Sequence, residues 1–400
     1  MKRNRGIFHK KVVCFIKYNK LFLNIYRILG NTLIFCLKLF VSPNNKQILF
    51  MSFGGQKFDD SPKALYDAIC QDPFFKDYTL VWGFTEPLKH NVSCKKVKVD
   101  TVGFYKAALS SGIWINNSSV SRGLNLKGKG IFEINTWHGT PLKKMGNDIV
   151  NNQSYSTNSK KDMNVIYCSQ SEYDREIFTR LFNTVKEQIL ISDLPRNDML
   201  LMYSDEKINM IKRSIGVDKD KKIILYAPTF REYDRNSSNA CYIKPPIDLT
   251  KWREKLGSDY VVLFRAHYEV IHVLGIQDDE FIKNVSAYPL LNDLMVISDM
   301  LISDYSSIYF DYSILEKPMF NFSYDYDTYC EKRGLYLDLN DTLPCKVNLT
   351  EDTLLEELQT FDHMGYCEKS KSFKQRFCPN AGHAIESMIS VIKKKCEGGL

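Results

Sequence analysis

The feature that most constrains the fold of this chain is a repeated alternation of short apolar segments with helical stretches. The apolar segments predict strands at 47–53, 78–84, 112–116, 131–136, 165–169 and 188–191 in a first series, and at 222–227, 260–266, 299–302 and 318–320 in a second. Strands that are apolar throughout and separated by helices are typical of parallel sheets covered on both faces. Two such series predict an α/β protein with two Rossmann-like domains.

The length supports the same division, because 400 residues correspond to about two domains of ordinary size. We expect an N-terminal Rossmann-like domain at 44–200 and a C-terminal Rossmann-like domain at 201–372. An amphipathic helical arm is predicted at 1–43. The tail at 373–400 is predicted to be one helix that can cross back onto the first domain.

The N-terminal segment carries a charge pattern that the rest of the chain lacks. Residues 1–58 hold eleven Lys or Arg and no Asp or Glu, whereas the remainder holds 43 basic and 47 acidic residues. Because the body is mildly acidic, we expect no nucleic-acid partner. Apolar and basic residues are interleaved in the arm, and its longest uncharged run, 28–37, is about half of what a bilayer core requires. The pattern favours an interfacial helix on an anionic membrane surface, with packing on the protein's own core as the alternative.

Several clusters of polar residues follow predicted strands, which is where α/β sheets bind ligands. The first contains His138, whose ring can take a proton from an alcohol near neutral pH. Gly139 beside it lets a substrate approach the backbone. A structural histidine is the alternative for this cluster taken alone. In the second cluster, 226–232, Thr229 and exposed backbone can hold a base or phosphate, or the segment is an ordinary strand exit.

Two further clusters have the residue types that bind an anion. Arg265 and His267 alternate onto the same side of a strand and suit a diphosphate, although a surface pair is equally compatible. Ser306 and Ser307 stand at a predicted helix start, where hydroxyls, free N–H groups and the helix dipole favour a pyrophosphate. Ser306 as a plain N-cap fits the same pattern. Asp311, about one turn later, can accept hydrogen bonds from a ribose or glycerol hydroxyl.

The order of these motifs along the chain carries a family resemblance. His-Gly-Thr-Pro-Leu-Lys, Leu-Pro-Arg-Asn-Asp, Ala-Pro-Thr-Phe-Arg, Arg-Ala-His and Ser-Asp-Tyr-Ser-Ser-Ile-Tyr-Phe-Asp-Tyr together resemble the CDP-glycerol glycerophosphotransferase family, over 48–338. The resemblance implies a GT-B arrangement, with two Rossmann-like domains facing across a cleft. It implies transfer of glycerol phosphate from CDP-glycerol to a lipid-linked, polyprenyl-diphosphate saccharide acceptor of a wall or capsule polymer. CMP would be released at the cytoplasmic face of the membrane, where the enzyme is peripheral.

The resemblance also assigns roles to residues. The general base falls on His138, and His267 is either an acid for the CMP leaving group or a phosphate ligand. Donor-binding positions fall on Gly139, Thr140, Pro141, Leu142, Arg196, Pro228, Thr229, Arg265, Ala266, Ser306, Ser307 and Asp311. The turn before Arg196 reads Asp-Leu-Pro where the family often has Gly-Xaa-Pro, and Phe stands in Pro-Thr-Phe-Arg where Trp is frequent. Neither departure removes a polar contact.

The sequence leaves the donor and the metal requirement open. No residue separates CDP-glycerol from CDP-ribitol; a UDP-sugar glycosyltransferase of this fold and an inactive scaffold are further alternatives. Asp325-Tyr326-Asp327 resembles the D-x-D of metal-dependent glycosyltransferases, but it lies well past the anion site and we interpret it as structural. No tightly bound cofactor is expected, and a divalent metal is possible but not indicated. Eleven scattered cysteines without a C-x-x-C pair indicate reduced thiols in the cytosol.

Overall fold

The computed structural model describes residues 19–149, 162–229, 231, 245–266 and 276–398. The chain divides into two compact units. The first unit comprises the chain up to Trp137, together with Asn164–Tyr167 and the residues from Ile389 onward. The second unit comprises His138–Met163 and Cys168–Met388. The predicted domain boundary near residue 200 stays a prediction.

A seven-stranded sheet is built by the first half of the chain. Its strands are β1 (Asn44–Met51), β2 (Thr79–Phe84), β3 (Lys95–Lys98), β4 (Ser111–Asn116), β5 (Phe132–Asn135), β6 (Val165–Ser169) and β7 (Ile189–Ile191). Their order is β3-β2-β1-β4-β5-β6-β7, and the pairings from β3 to β6 are parallel. This is the doubly wound Rossmann order, which reverses direction between β1 and β4.

A six-stranded sheet repeats that order in the second unit. Its strands are β8 (Lys222–Ala227), β9 (Tyr260–Phe264), β10 (Ile282–Asn284), β11 (Met300–Ser303), β12 (Met319–Phe322) and β13 (Val347–Asn348). All neighbours in the order β10-β9-β8-β11-β12-β13 are parallel. The direction reverses between β8 and β11, and the crevice outside the carboxyl ends of these two strands is where such sheets bind ligands.

Helices connect the strands of both sheets. They are α1 (Lys20–Lys38), α2 (Asp60–Gln71), α3 (Val102–Ser110), α4 (Glu172–Leu181), α5 (Asp205–Ile215), α6 (Leu249–Leu256), α7 (Leu291–Ile297), α8 (Ile308–Ser313), α9 (Tyr326–Lys332), α10 (Leu339–Thr342), α11 (Glu351–Thr360), α12 (His363–Phe377) and α13 (Ala384–Cys396). α5 shows why such segments are helical. Ser204 caps its first turn by accepting a hydrogen bond from the Lys207 amide, and Gly216 ends it in the left-handed conformation.

The predicted α/β fold with two parallel, Rossmann-ordered sheets is confirmed, as is a helix in the N-terminal arm. The single helix predicted for the tail is wrong: α12 ends at Phe377 and α13 begins at Ala384. Pro379 cannot continue a helix, and Gly382 adopts a φ of +96°, so the chain turns between them.

Helix α1 packs one face on the first unit and exposes the other. Gly30 lies against the side chain of Leu124, Ile34 is buried, and the Nζ of Lys38 donates to the carbonyl of Asn125 at 2.7 Å. The opposite face is apolar and exposed, with Leu29 66% accessible. By length and composition alone this helix could cross a membrane, which for a single helix near an N-terminus is weak evidence.

Candidate active site

A strained turn carries the chain from the end of β5 to His138. Trp137 has a φ of +52°, a conformation that costs a bulky residue on the order of 1–3 kcal/mol. Two hydrogen bonds hold the turn: the Trp137 amide donates to Oδ1 of Asn135 at 3.0 Å, and the Thr136 amide donates to the Asn116 carbonyl at 2.7 Å. The turn therefore fixes the direction in which the chain enters the His138 segment.

The segment that follows His138 is bound within the second unit. The Tyr336 amide donates to the Leu142 carbonyl at 2.9 Å, and the Lys144 amide donates to the Gly334 carbonyl at 3.1 Å. These contacts join the His-Gly-Thr-Pro-Leu-Lys motif to residues almost two hundred positions later. The candidate base is thus anchored to the unit that also carries the predicted donor-binding loops.

Gly139 lies directly against Ser307. Its φ is +148°, and a Cβ at this position would lie 2.9 Å from the Oγ of Ser307. Only glycine combines that backbone conformation with so close an approach. The space beside Gly139 is occupied by the serine, which is the physical reason for a glycine here; admission of a substrate stays a prediction.

Arg196 links the carbonyl of His138 to Asp311. Its Nη1 donates to the His138 oxygen at 3.1 Å and its Nη2 to Oδ2 of Asp311 at 2.7 Å. The side chains of Arg196 and Asp311 are only 14% and 5% exposed. The other oxygen of Asp311 accepts from Nδ2 of Asn197 at 2.9 Å. Both Asp311 oxygens are therefore engaged by the protein, and its contact with a ribose or glycerol hydroxyl stays a prediction.

Behind this pair lies a buried acid cluster formed by Asp174, Asp193 and Asp311 around Gln170. The Gln170 amide donates to Oδ2 of Asp174 at 2.9 Å, and its Nε2 donates to Oδ1 of Asp193 at 3.1 Å. Burial, with the neighbouring carboxylates adding to it, raises the pKa of Asp174 and of Asp193 to about 7. Thr140 belongs to the same cluster, because its hydroxyl lies 2.7 Å from Oε1 of Gln170.

The remaining residues of the first motif are also internal. Pro141 is buried and its carbonyl accepts from the Tyr173 hydroxyl at 2.6 Å. Leu142 is 2% exposed and belongs to the core of the second unit. The structure thus gives Thr140, Pro141 and Leu142 packing and hydrogen-bonding roles, and their direct contact with a donor stays a prediction.

The loops after β8 and β11 meet where the second sheet reverses direction. The Thr229 amide donates to Oδ1 of Asp304 at 2.8 Å, while the Thr229 hydroxyl is buried and has no hydrogen-bond partner among the described residues. Pro228, beside it, is half-buried. The Oγ of Ser306 accepts the Ile308 amide at 3.3 Å, whereas the N-cap position of the short helix α8 is Ser307, whose side chain makes no capping hydrogen bond. Ser306 and Ser307 are half-buried at the carboxyl edge of the sheet.

Arg265 differs from the other arginines of the motifs, because it has no carboxylate partner among the described residues. Its Nη1 donates to the carbonyls of Val285 and Tyr288, at 3.3 and 2.7 Å. Burial without a counter-ion lowers its pKa. A half-buried guanidinium without a carboxylate partner among the described residues is suited to binding an anionic ligand. Ala266 is fixed beside it by its amide, which donates to Ser286 at 3.0 Å.

The D-x-D-like motif binds an arginine. Both oxygens of Asp325 accept from Arg231, at 2.7 and 2.8 Å, and Oδ1 also accepts from the Tyr305 hydroxyl at 2.9 Å. Within the described part of the chain, no group of three or more His, Cys, Asp or Glu is arranged to hold a metal. His267 lies outside the described residues.

Sequence reasoning missed Arg231, Gln170, Asp174 and Asp193. Arg231 stands within the Ala-Pro-Thr-Phe-Arg motif, so its position gave a signal. The other three lie in an ordinary strand exit and helix start, where nothing in the sequence shows that they converge.

The fold and the candidate site define an α/β protein with two Rossmann-ordered sheets and a half-buried arginine at the carboxyl edge of the second sheet, where such sheets bind ligands. The model of the family "CDP-Glycerol:Poly(glycerophosphate) glycerophosphotransferase" matches residues 33–392. The chain belongs to this family.

Two curated relatives and one solved structure extend the comparison. A teichoic acid poly(glycerol phosphate) polymerase of Staphylococcus epidermidis is 35% identical over 87% of this chain, which spans only 50% of that longer protein. A teichoic acid glycerol-phosphate transferase of Staphylococcus aureus is 33% identical over 88% of this chain and 94% of its own length. A variant of the wall teichoic acid polymerase TagF has a TM-score of 0.82 and 32% identity over 93% of this chain and 95% of its own. TagF was also solved after a soak with CDPG.

Proposed function

We propose that this protein transfers glycerol phosphate from CDP-glycerol to a lipid-linked acceptor of a wall or capsule polymer and releases CMP. The observation that carries the proposal is Arg265, a half-buried guanidinium without a carboxylate partner among the described residues, at the carboxyl edge of a Rossmann-ordered sheet. Family membership and the names of the two staphylococcal relatives support glycerol phosphate as the transferred group.

The chemistry follows from the residues of the site. Arg265, with Ser306 and Ser307, bears the negative charge of the donor diphosphate. His138 takes the proton of the acceptor hydroxyl, whose oxygen attacks the β-phosphorus in line. The bond from that phosphorus to the bridging oxygen breaks, and CMP leaves with the bond's electron pair. Transfer of this kind depends mainly on positioning and electrostatic stabilisation. His267 serves as a phosphate ligand or as the acid that protonates CMP.

The position of α1 supports a peripheral attachment to the cytoplasmic face of the membrane. Its inner face is held on the first unit through Gly30, Ile34 and Lys38, and a spanning orientation would expose that face to lipid. Its outer face carries exposed Ile28, Leu29 and other large apolar residues. A helix held in this way can bury its outer face at the headgroup boundary, beside the lipid-linked acceptor.

The deciding experiment incubates the purified protein and a lipid-linked disaccharide acceptor with CDP-glycerol, CDP-ribitol or UDP-glucose, and measures release of CMP or UDP. We expect acceptor-dependent CMP release from CDP-glycerol. CMP release from CDP-ribitol alone would mean that the transferred polyol is ribitol and not glycerol. Turnover of only the UDP-sugar would overturn the donor class, and inactivity with all three donors would favour a scaffold.

A further inference from the structure

Arg231 lies in a buried cage of two carboxylates and three tyrosine rings. Its side chain is 2% exposed. The cage consists of the carboxylates of Asp304 and Asp325 and the rings of Tyr305, Tyr324 and Tyr329, whose centroids lie 4.9, 5.0 and 5.3 Å from the guanidinium carbon. Burial by itself disfavours the charge, but Asp304 and Asp325 outweigh it and hold the pKa of Arg231 above its ordinary value.

The cage joins the two loops that meet where the second sheet reverses direction. Nη1 of Arg231 donates to the Thr229 carbonyl at 2.7 Å, in the loop after β8. The same Nη1 donates to Oδ2 of Asp304 at 2.8 Å, in the loop after β11. Oδ1 of Asp304 accepts the amides of Thr229 and Tyr305, at 2.8 and 2.7 Å. The carbonyl and the amide of Thr229 are therefore both hydrogen-bonded within the cage. Asp304 is held by the same contacts, and it precedes Tyr305 by one residue and Ser306 by two.

Asp325 completes the cage from a third loop. Its oxygens accept Nε and Nη2 of Arg231 in the parallel, two-point geometry that a guanidinium offers and a lysine ammonium does not. The D-x-D-like motif thus contributes a carboxylate that orients the arginine. A lysine at 231 would keep the charge but lose one of the two Asp325 contacts and the guanidinium group that the three tyrosine rings surround.

We propose that Arg231 is a positioning residue for the transfer reaction: it holds Thr229 and the Ser306–Ser307 loop in the geometry that receives the nucleotide diphosphate. The proposal rests on the proposed function for the identity of that ligand. The geometry does not depend on the proposed function, because the contacts among Arg231, Thr229 and Asp304 are made by the protein alone.

The test compares Arg231→Lys with Arg122→Lys. Arg122 is a suitable control because it also makes a two-point contact with a carboxylate, Asp100, at 3.1 and 2.8 Å, in the first unit. The first measurement is hydrogen exchange of the Thr229 and Tyr305 amides without ligand. We expect exchange at least about tenfold faster in Arg231→Lys and unchanged in Arg122→Lys. The second is the Kd for CDP by calorimetry, expected to rise at least about fivefold in Arg231→Lys only.

The outcomes separate this proposal from the proposed function. Unchanged exchange at both amides, or a Kd for CDP within about twofold of the wild-type value at equal folded fraction, overturns the positioning role. A wild-type protein that does not bind CDP refutes the donor class, while the exchange measurement still decides the role of Arg231. If Arg231→Lys does not fold, Asp325→Asn, which weakens the same cage from a less buried position, takes its place with the same expected results.

Discussion

The Nη2 of Arg196 lies 2.7 Å from Oδ2 of Asp311, although 115 positions separate the two residues in the chain. Through this contact the Leu-Pro-Arg-Asn-Asp motif is bonded to the Ser-Asp-Tyr motif, and the other arm of the guanidinium holds the His138 carbonyl. Three motifs of the site are therefore joined by one buried ion pair.

Removing one partner of the Arg196–Asp311 pair should lower the stability of the folded protein. Asp311→Ala leaves the buried Arg196 without its carboxylate, and we expect a loss of about 3–5 kcal/mol in the free energy of unfolding. The control is Asp100→Ala, which breaks a more exposed pair with Arg122 and should cost about 1 kcal/mol or less. Urea denaturation of both variants measures the difference. Equal losses would show that the Arg196–Asp311 pair contributes no more than a surface contact.

Gly139→Ala should disturb the site as well as the stability. The added methyl meets Ser307 at 2.9 Å, and φ at +148° is strained for any L side chain. We expect a loss of about 1–3 kcal/mol in stability together with lower turnover. Gly123→Ala is the comparison, because that glycine has a φ of +79° and nothing within 4 Å of the added Cβ. Thermal unfolding and CMP release of the two variants should differ; a Gly139→Ala enzyme with normal turnover would contradict the close packing.

The buried acid cluster should make stability fall as the pH rises. The pKa of Asp193 is raised to about 7 in the folded protein, so between about pH 4 and 7 the folded state holds a proton that the unfolded state has lost. The contribution of this proton to the free energy of unfolding is fully present below the pKa that the group has in the unfolded chain, and it is lost as the pH rises through 7. Asp193→Asn keeps the acceptor for Gln170 and Asn197 and removes the titration.

We therefore expect Asp193→Asn to gain stability relative to the wild type between pH 5 and pH 8, measured by urea denaturation at both values. Asp67→Asn on α2, where the side chain is 45% exposed, should show no such gain. A wild-type stability that changes over this range in parallel with that of the Asp193→Asn variant would contradict a proton held in the cluster.

His138→Ala should fold normally and lose most of its turnover. The Arg196 contact is made to the backbone carbonyl of His138, so it survives the substitution. Loss of a general base lowers the rate by about 10² to 10⁴. His363→Ala, on the exposed start of α12, serves as the control. Near-normal CMP release by the first variant would refute the assignment of the base.

The outer face of α1 should determine membrane binding. Leu29→Glu replaces an exposed apolar side chain on that face, and we expect binding to phosphatidylglycerol-containing vesicles to weaken about tenfold or more. Met210→Glu on α5 is the matched control, since Met210 is 62% exposed on a different helix. Sedimentation with vesicles measures both. Equal binding of the two variants would mean that α1 does not enter the lipid surface.

The sequence predicted most strands from their apolar runs, including the three-residue β7, and missed β3, β10 and β13. β6 and β8 were predicted with their observed bounds, because Val165–Ser169 and Lys222–Ala227 are nearly continuous in β-forming residues. β3 has the sequence Lys-Lys-Val-Lys, β10 has three residues and β13 has two, so neither apolar periodicity nor length marks them. All three owe their strand conformation to the pairing partner rather than to their own propensity.

The candidate site shows a similar division. The motif order led to His138, Arg265 and the serines, because polar residues at strand ends are visible in the sequence. The sequence could not show that Arg196 and Asp311 neutralise each other while Arg265 is not paired with a carboxylate among the described residues. Which charges cancel depends on contacts between distant segments, and no local pattern encodes them.

The junction between Trp137 and His138 has a consequence for the exchange of parts between related enzymes. The chain changes compact unit at this peptide bond, and the segment after it is hydrogen-bonded to Gly334 and Tyr336. A recombination point at the junction would leave His138, Arg196 and Ser307 with the same parent. A point only a few residues later, after Leu142, would take the histidine from one parent and its anchors from the other, and such chimeras should be the less active ones.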